Sequence, residues 1–377
     1  MTIIAILIIA LYTILIGVLI IGFFKVKEFN YHSEIASNSF SIIIPFRNEA
    51  DNLACLLKSI SKLNYPIEKF EILLINDNSR DGFRLILNTF IEEHSHLNIK
   101  IIENNRKSSS PKKDAIETGI QHSKFEWILT TDADCIVPIF WLRTYNAFIL
   151  KNEPYFIAGP VAFSKPVSFL DHFQQLDLSA LIGSTIGGFG IKKPFMCSGA
   201  NLCYRKDIFI QLNGFVGNNH LASGDDVFLL EKTHEHFPNK VSYLKSYDAL
   251  VYTSTEKSIS KLIQQRIRWA SKATSYSSHY SKLVSFIVFL SNLIFAYCLL
   301  FLFFSKNFSP FYFALVISKI IVDFIIIWIA LSLGKNEKSI LWHPIIVLLH
   351  PLFIVSIAIF AIFSSKYNWK NRTFSSK

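Results

Sequence analysis

Two aspartates one residue apart are the clearest candidates for chemistry in this sequence. Asp132 and Asp134 follow the apolar run 125–129, which is typical of a buried strand that ends just before them. Carboxylate oxygens suit Mg²⁺ or Mn²⁺, and such ions are usually held by one or two carboxylates together with the phosphates of a substrate. The pair predicts a divalent metal that contacts a diphosphate, although a polar junction between a strand and a loop would look the same.

Short apolar runs alternate with helical stretches in front of this pair. Strands are predicted at 41–44, 70–75, 99–103 and 125–129, and helices at 50–63, 81–94 and 113–122. This alternation is typical of βαβ units with a parallel sheet, where ligands bind outside the carboxyl ends of the strands. Pro45, Asp77 and Asp132 follow three of the strands, so we expect them to meet at one crevice. Pro45 should also end the first strand, because proline cannot continue a central strand.

The composition points to a membrane. Of the 377 residues, 51% are hydrophobic and 18% are charged, and 35 are phenylalanine, which is too apolar for an ordinary soluble protein. The formal net charge is +10. Beside long apolar segments, this charge favours anionic lipid headgroups and phosphate-bearing substrates as partners, with no nucleic acid. The five cysteines are scattered and are predicted to be free thiols.

Uncharged or nearly uncharged segments lie at both ends of the chain. The sequence predicts an N-terminal transmembrane helix at 1–27, an α/β domain at 39–255, an interfacial segment at 256–282, a transmembrane region at 283–363 and a basic tail at 364–377. Lys25 and Lys27 directly follow the uncharged stretch 2–24 of this helix, so the positive-inside rule places the α/β domain in the cytoplasm.

The basic tail conflicts with a simple count of spans. Three spans after a cytoplasmic domain, at 283–304, 311–333 and 340–363, would put the tail outside. The tail nevertheless carries four basic residues that should stay inside, which are Lys366, Lys370, Arg372 and Lys377. Either the last segment is a re-entrant hairpin broken at His350 and Pro351, since proline kinks a helix, or stronger upstream signals override the rule. We favour the hairpin because both His-Pro pairs, at 343–344 and 350–351, fall inside this one segment.

Several short strings occur in the order in which one enzyme family carries them. They are IPFRNE at 44–49, NDNSRD at 76–81, KKDA at 112–115, DAD at 132–134, CSGAN at 197–201, SGDD at 223–226 and QRIRW at 265–269. Over residues 40–269 the chain resembles a membrane-bound glycosyltransferase of family 2. The resemblance implies a GT-A-type, Rossmann-like α/β domain that binds a nucleotide sugar, with transmembrane helices on both sides. The family usually has an aspartate where this chain has Asn76.

The resemblance implies a donor site for a nucleotide-diphosphate sugar, and UDP is the commonest donor nucleotide in the family. The implied members of this site are Pro45, Arg47, Glu49, Asp77, Lys113 and Asp132. Asp77 would accept hydrogen bonds from the base or ribose, and Lys113 would lie near the phosphates. Asp132 and Asp134 would hold Mg²⁺ or Mn²⁺.

The remaining strings imply the catalytic and acceptor groups. Asp226 matches the catalytic base of the family, and Asp225 matches the neighbour of that base. A base is needed because an acceptor hydroxyl is a poor nucleophile until a carboxylate takes its proton. The residues implied to contact the diphosphate or the acceptor are Gln265, Arg266, Arg268 and Trp269. Arginine can pair bidentately with phosphate oxygens, and tryptophan offers a flat face to a sugar.

The implied function is inverting transfer of a sugar to a hydroxyl of a lipid or glycan acceptor. It would take place at the cytoplasmic face of the cell inner membrane. A processive polysaccharide synthase is the alternative within the family. A membrane protein that keeps the fold only as a non-catalytic binding module is the alternative from another class.

Overall fold

The structure is a computed structural model that describes residues 2–31, 35–219, 221–272, 275–305, 309–363, 366–369 and 372–375. Its strands are β1 (Phe40–Phe46), β2 (Phe70–Asn76), β3 (Ile99–Glu103), β4 (Trp127–Thr130), β5 (Phe156–Ala158), β6 (Val161–Phe163), β7 (Leu202–Arg205), β8 (Val241–Tyr243), β9 (Val251–Thr253), β10 (Lys366–Trp369) and β11 (Arg372–Ser375). Its α-helices are α1 (Thr2–Lys25), α2 (Ala50–Ile60), α3 (Phe83–Glu93), α4 (Pro111–His122), α5 (Trp141–Asn152), α6 (Phe169–Gly190), α7 (Lys206–Gln211), α8 (Asp225–His236), α9 (Ile259–Ala270), α10 (His279–Phe304), α11 (Pro310–Leu333) and α12 (His343–Phe363).

A seven-stranded sheet with the order β3-β2-β1-β4-β7-β5-β8 forms the centre of the α/β domain. The first four strands of this order are parallel, and β7 is antiparallel to both of its neighbours. Helices cover both faces, which is why β1 and β2 are continuous apolar runs instead of alternating ones. The chain runs from β1 outward to β2 on one side and returns to β4 on the other. The strand order thus changes direction at β1, and ligand crevices of parallel sheets lie at such a change of direction. The expected crevice therefore lies at the carboxyl end of β1.

Pro45 does not end the first strand. β1 continues through it to Phe46, and Pro45 pairs in register with Ile75 of β2. The predicted strand end is therefore wrong by two residues. Pairing of β1 with β4 stops at Ile43, so the missing N–H of Pro45 breaks no ladder bond on that side.

The described residues contain four helical segments long and apolar enough to cross a membrane: α1, α10, α11 and the segment Glu337–Phe363, which contains α12. Glycines bring α1 and α6 into backbone contact, because a Cβ atom placed on Gly190 would lie 1.8 Å from the carbonyl oxygen of Gly22. Lys319 and Asp323 on α11 form an ion pair at 2.6 Å, and Asp323 also accepts a hydrogen bond from Tyr12 of α1. These contacts join α1 to both the domain and the other apolar helices.

The favoured hairpin at His350 and Pro351 is wrong, because α12 runs unbroken from His343 to Phe363 with Pro351 inside it. Contacts on both sides of the proline hold the helix to α6. His350 Nε2 lies 2.9 Å from Asp177 Oδ1, and the ring of Phe353 packs edge-on against Phe173. The loss of one backbone donor at the proline is thus tolerated within a packed helix.

The described part of the basic tail lies beside the α/β domain. The strands β10 and β11 form an antiparallel hairpin, β10 packs against α9, and Arg372 of β11 contacts Asp77 at the end of β2. Residues 364–365, 370–371 and 376–377 of the predicted tail, which include Lys370 and Lys377, lie outside the described residues.

Candidate active site

Asp132 and Asp134 lie directly after β4, at the predicted crevice. Asp132 is partly exposed, and its Oδ1 accepts a bond from Lys112 Nζ at 2.8 Å. Asp134 Oδ2 accepts a bond from the Thr253 hydroxyl at 3.3 Å. In the part of the chain that the structure describes, no group of three or more His, Cys, Asp or Glu side chains could hold a metal by itself. The pair fits Mg²⁺ or Mn²⁺ that takes its remaining ligands from substrate phosphates and water.

Lys112 lies between the first acidic pair, Asp132 and Asp134, and the second acidic pair, Asp225 and Asp226. Its ammonium lies 2.8 Å from Asp132 and 3.2 Å from Asp225 Oδ2. Burial opposes the charge of Lys112, but the two carboxylates outweigh burial and hold its pKa well above the ordinary value. Lys112 therefore stays cationic in the centre of the site.

The prediction that Lys113 lies near the phosphates is wrong. Its ammonium is buried and donates to the Asn218 carbonyl at 2.7 Å, to Asn218 Oδ1 at 2.9 Å and to the Leu221 carbonyl at 3.0 Å. Successive residues of a helix point about 100° apart, so only one of two adjacent lysines can face the crevice. Lys113 instead holds the segment that leads to the acidic pair, and burial lowers the pKa of Lys113 to about 8.

Asp225 and Asp226 form the first turn of α8, after Gly224 in the left-handed conformation. Asp226 Oδ1 lies 3.2 Å from Lys272 Nζ, and Asp226 Oδ2 accepts the Gly199 N–H at 3.2 Å. Burial alone would raise the pKa of Asp226, but Lys272 and Lys112 outweigh burial and hold it below the ordinary value. Asp226 is therefore ionised at neutral pH and can accept a proton. Sequence reasoning missed Lys272, which lies three residues beyond the QRIRW string.

Asp77 marks the other end of the crevice, after β2. Its Oδ1 accepts bonds from Arg106 Nε at 2.6 Å and Asn104 Nδ2 at 3.0 Å. Its Oδ2 accepts bonds from Arg106 Nη2 at 3.0 Å and from Arg372 Nη1. Arg47 Nη1 donates to the main-chain carbonyl of Asp77 at 2.8 Å. Two guanidinium groups thus bind the Asp77 carboxylate, and a third binds the main-chain carbonyl of the same residue.

Pro45 and Glu49 lie on the two sides of the turn that carries Arg47. Pro45 is the penultimate residue of β1, and Glu49 is the N-cap residue of α2. The Glu49 carboxylate accepts a bond from Asn52 Nδ2 at 2.6 Å. All three residues therefore lie at the carboxyl end of β1, next to Asp77.

The four residues chosen from QRIRW lie on α9 and line a single cavity, but their partners differ. Arg266 is buried, its Nε donates to Asp177 Oδ2 at 2.7 Å, and its guanidinium lies 4.2 Å from the centre of the Trp269 ring. Gln265 donates to Glu256 at 3.1 Å. Asp177 also lies next to His350, so Arg266 joins α6, α9 and α12. Asp177, one of the two aspartates in helix α6, was the available signal for this buried cluster.

The cavity around these residues has a volume of about 660 Å³. The four carboxylates of the two acidic pairs line it together with Lys112, Arg268 and Trp269. An apolar part of the wall comes from α6, α10 and α12, with Leu181, Phe286, Phe289, Ile354, Ile357, Ala358 and Ala361 among the lining residues. One continuous cavity therefore joins charged groups to helices of membrane-spanning length.

The fold is that of the GT-A-type nucleotide-sugar-dependent transferases. The chain superposes on a mannosyltransferase from Pyrobaculum calidifontis, PcManGT, which was solved in complex with GDP-Man and Mn²⁺. The TM-score is 0.62 at 15% identity, and the match covers 95% of this chain and 99% of that one.

The profile described as glycosyl transferase family group 2 matches residues 127–333, more than half of the chain, and that of glycosyl transferase family 2 matches residues 41–212. The chain belongs to this family and is a glycosyltransferase, which confirms the predicted family, fold and enzyme class.

Two curated relatives agree with this assignment. Glycosyltransferase AglE of Haloferax volcanii is 29% identical over 192 residues, which cover 50% of this chain and 58% of AglE. A poly-beta-1,6-N-acetyl-D-glucosamine synthase of Staphylococcus epidermidis is 24% identical over 270 residues, which cover 68% of this chain and 61% of the synthase. The chain thus spans about three fifths of the length of these relatives.

Proposed function

We propose that this protein is an inverting glycosyltransferase that moves one sugar from a nucleotide-diphosphate sugar to a hydroxyl of a membrane lipid. The observation that carries the proposal is the cavity that runs from four carboxylates to the apolar walls of α10 and α12. We place the enzyme in the cell inner membrane with its α/β domain in the cytoplasm, where sugar nucleotides are made.

The donor would lie between Asp77 and Asp132, with its nucleoside near Pro45, Arg47 and Glu49. UDP is the first candidate because it is the commonest donor nucleotide in the family, and GDP is the second because the solved neighbour holds GDP-Man. A divalent metal held by Asp132 and Asp134 would, when bound, neutralise charge on the diphosphate. Lys112 and Arg268 would offset the negative charge that builds on the leaving group.

The transfer step would need one base and one leaving group. The acceptor oxygen would attack the anomeric carbon from the face opposite the diphosphate while the bond from that carbon to the diphosphate oxygen breaks. Asp226 would take the hydroxyl proton, since it is ionised, buried and part of the cavity wall. The products are a glycoside of inverted configuration and a nucleoside diphosphate. Asp225 would stay paired with Lys112 and hold it near the leaving group.

A lipid acceptor explains the apolar part of the cavity better than a polymer does. A sugar chain leaves hydroxyl groups to be satisfied along its whole length, and burying such groups without hydrogen bonds is costly. The side chains of α10 and α12 that line the cavity include Phe286, Phe289, Ile357 and Ala361, which suit a hydrocarbon chain. The processive alternative draws on the Staphylococcus epidermidis relative, whose name describes a polymer synthase. It predicts products with many added sugars, whereas a lipid acceptor with single transfer predicts one.

The decisive experiment measures nucleoside diphosphate released from a panel of UDP- and GDP-sugars with Mn²⁺, with and without membrane lipid extract. We expect one donor to release diphosphate only when lipid is present, with one sugar added per lipid. No release from any donor would favour a non-catalytic binding module, and a ladder of products would favour the polysaccharide synthase.

The apolar wall can be tested separately. Ala358→Phe would fill the cavity beside α12 and should raise the KM for the lipid about tenfold, because the buried chain loses its space. Ile359→Phe is the matched control, since Ile359 is the next residue of α12 and is exposed. Equal KM values for the two variants would contradict a lipid site at this wall.

A further inference from the structure

The contact between the C-terminal hairpin and Asp77 crosses the donor end of the site. Arg372 lies 295 residues from Asp77 in sequence, and only 17% of its side chain is exposed. Its Nη1 donates to the Asp77 carboxylate, and its Nη2 donates to the Asp77 main-chain carbonyl at 3.3 Å. Because β10 packs against α9, the hairpin extends between the QRIRW helix and the end of β2.

The Asp77 carboxylate is saturated in this arrangement. Each of its oxygens accepts two hydrogen bonds, from Arg106 and Asn104 on Oδ1 and from Arg106 and Arg372 on Oδ2. A carboxylate offers about four lone-pair sites. A base or ribose group that bonds to Asp77 must therefore replace one of the present donors.

Arg372 is the donor that can leave at the lowest cost. Arg106 binds both carboxylate oxygens from the loop between β3 and α4, and Asn104 also donates to the Pro111 carbonyl at 3.0 Å. Arg372 makes one bond to the carboxylate and belongs to a hairpin outside the central sheet. Its departure would leave the sheet and the loop after β3 unchanged.

We propose that Arg372 is an internal competitor for the donor nucleotide, holding on Asp77 the position that a donor group of the nucleoside takes on binding. This inference rests on the proposed function, since it assigns Asp77 to a nucleoside. In this closed form Arg372 covers the Asp77 carboxylate, and its side chain must leave when the sugar nucleotide enters. The apparent affinity for the donor is thereby reduced, because only the molecules in which Arg372 has left Asp77 can bind it.

The test measures binding of UDP and of GDP, each with Mn²⁺, to the purified full-length protein in lipid nanodiscs by calorimetry. Arg372→Ala should lower the apparent Kd of the nucleotide that binds by about tenfold, as expected when the closed form makes up roughly nine tenths of the molecules. Arg372→Gln should act in the same direction. Arg205→Ala is the matched control, because Arg205 pairs with Asp207 and Glu126 beside Trp127, at the opposite end of β4. It removes one positive charge without touching Asp77.

A double variant separates competition from an unrelated effect of charge. In an Asp77→Asn background, Arg372→Ala should change the Kd by less than about twofold, because the contact is already weakened. Nucleotide binding that is unchanged or weaker in Arg372→Ala overturns the inference while the proposed function stands. If neither UDP nor GDP binds to the natural protein or to Arg372→Ala, the proposed donor chemistry fails and the inference fails with it.

Discussion

The two ends of the crevice balance charge in opposite ways. At the proposed donor end, Arg106 and Arg372 pair with the single carboxylate of Asp77, and Arg47 donates to the main-chain carbonyl of Asp77. At the proposed transfer end, Asp132, Asp225 and Asp226 pair with the ammonium groups of Lys112 and Lys272. A guanidinium is a planar fork that fixes geometry, whereas an ammonium is a point charge on a flexible stem that can change partners. The difference suits the proposed function, in which the donor end orients a ligand and the transfer end exchanges charged ones.

The largest expected effect comes from removing one carboxylate at the transfer end. Asp134→Ala should abolish transfer, because the diphosphate loses its counter-ion. The melting temperature should stay within a few degrees, because the Asp134 side chain is only partly buried and accepts a weak bond from the Thr253 hydroxyl at 3.3 Å. Diphosphate release and thermal unfolding measure the two quantities. Asp51→Ala, at an exposed position of α2, is the control. Activity that survives both Asp134→Ala and chelation by EDTA would contradict the assignment of this pair to a metal.

The second effect concerns the base. Asp226→Asn keeps the size of the side chain but cannot take a proton, so turnover should fall about a hundredfold or more. The Kd of the nucleotide, UDP or GDP, measured by calorimetry with Mn²⁺ should change little. If Asp225→Asn is inactive and Asp226→Asn is active, the wrong member of the pair has been chosen.

The third effect separates two neighbouring lysines. Lys112→Met should act on turnover and lower it about tenfold, because it removes a cation that would lie near the leaving group. Some loss of stability should accompany it, because the buried Asp225 carboxylate loses its cation. Lys113→Met should instead lower the free energy of unfolding by about 1–3 kcal/mol, because the acceptors at residues 218 and 221 lose a buried donor. Steady-state kinetics measures turnover, and denaturant titration measures the free energy of unfolding, for both variants. The same loss from both variants would remove the distinction drawn between them.

The smallest effect is a shift in pH dependence. Lys272 favours the ionised form of Asp226, so Lys272→Met should raise the pKa of that carboxyl. A base must be deprotonated to act, and the acid limb of kcat/KM should therefore move to higher pH by about one unit. Profiles of kcat/KM against pH for the two proteins provide the check. A limb that stays in place would show that Asp226 does not control it.

Local sequence patterns predicted most of the sheet and the positions of the acidic residues, because strand ends and short motifs depend on neighbouring residues. The choice between Lys112 and Lys113 could not be made in this way, since it depends on the rotation of α4 against the sheet. The clusters around Asp177 and Asp77 were also missed, because their partners lie 89 and 295 residues away and meet only through packing. Proline was over-interpreted at Pro45 and Pro351, where neighbouring elements decide whether a missing donor matters.

The contact between α1 and α6 has a consequence for protein production. Phe23 lies in the same buried core as Ile43 and Ile128 of the central sheet, and Lys245 Nζ lies 3.9 Å from the centre of its ring. Trimming the first helix to obtain a water-soluble catalytic fragment would therefore uncover the glycine-lined face of α6 and open the core beneath the sheet. The first helix should be kept during expression, and detergent or lipid should be chosen to preserve it.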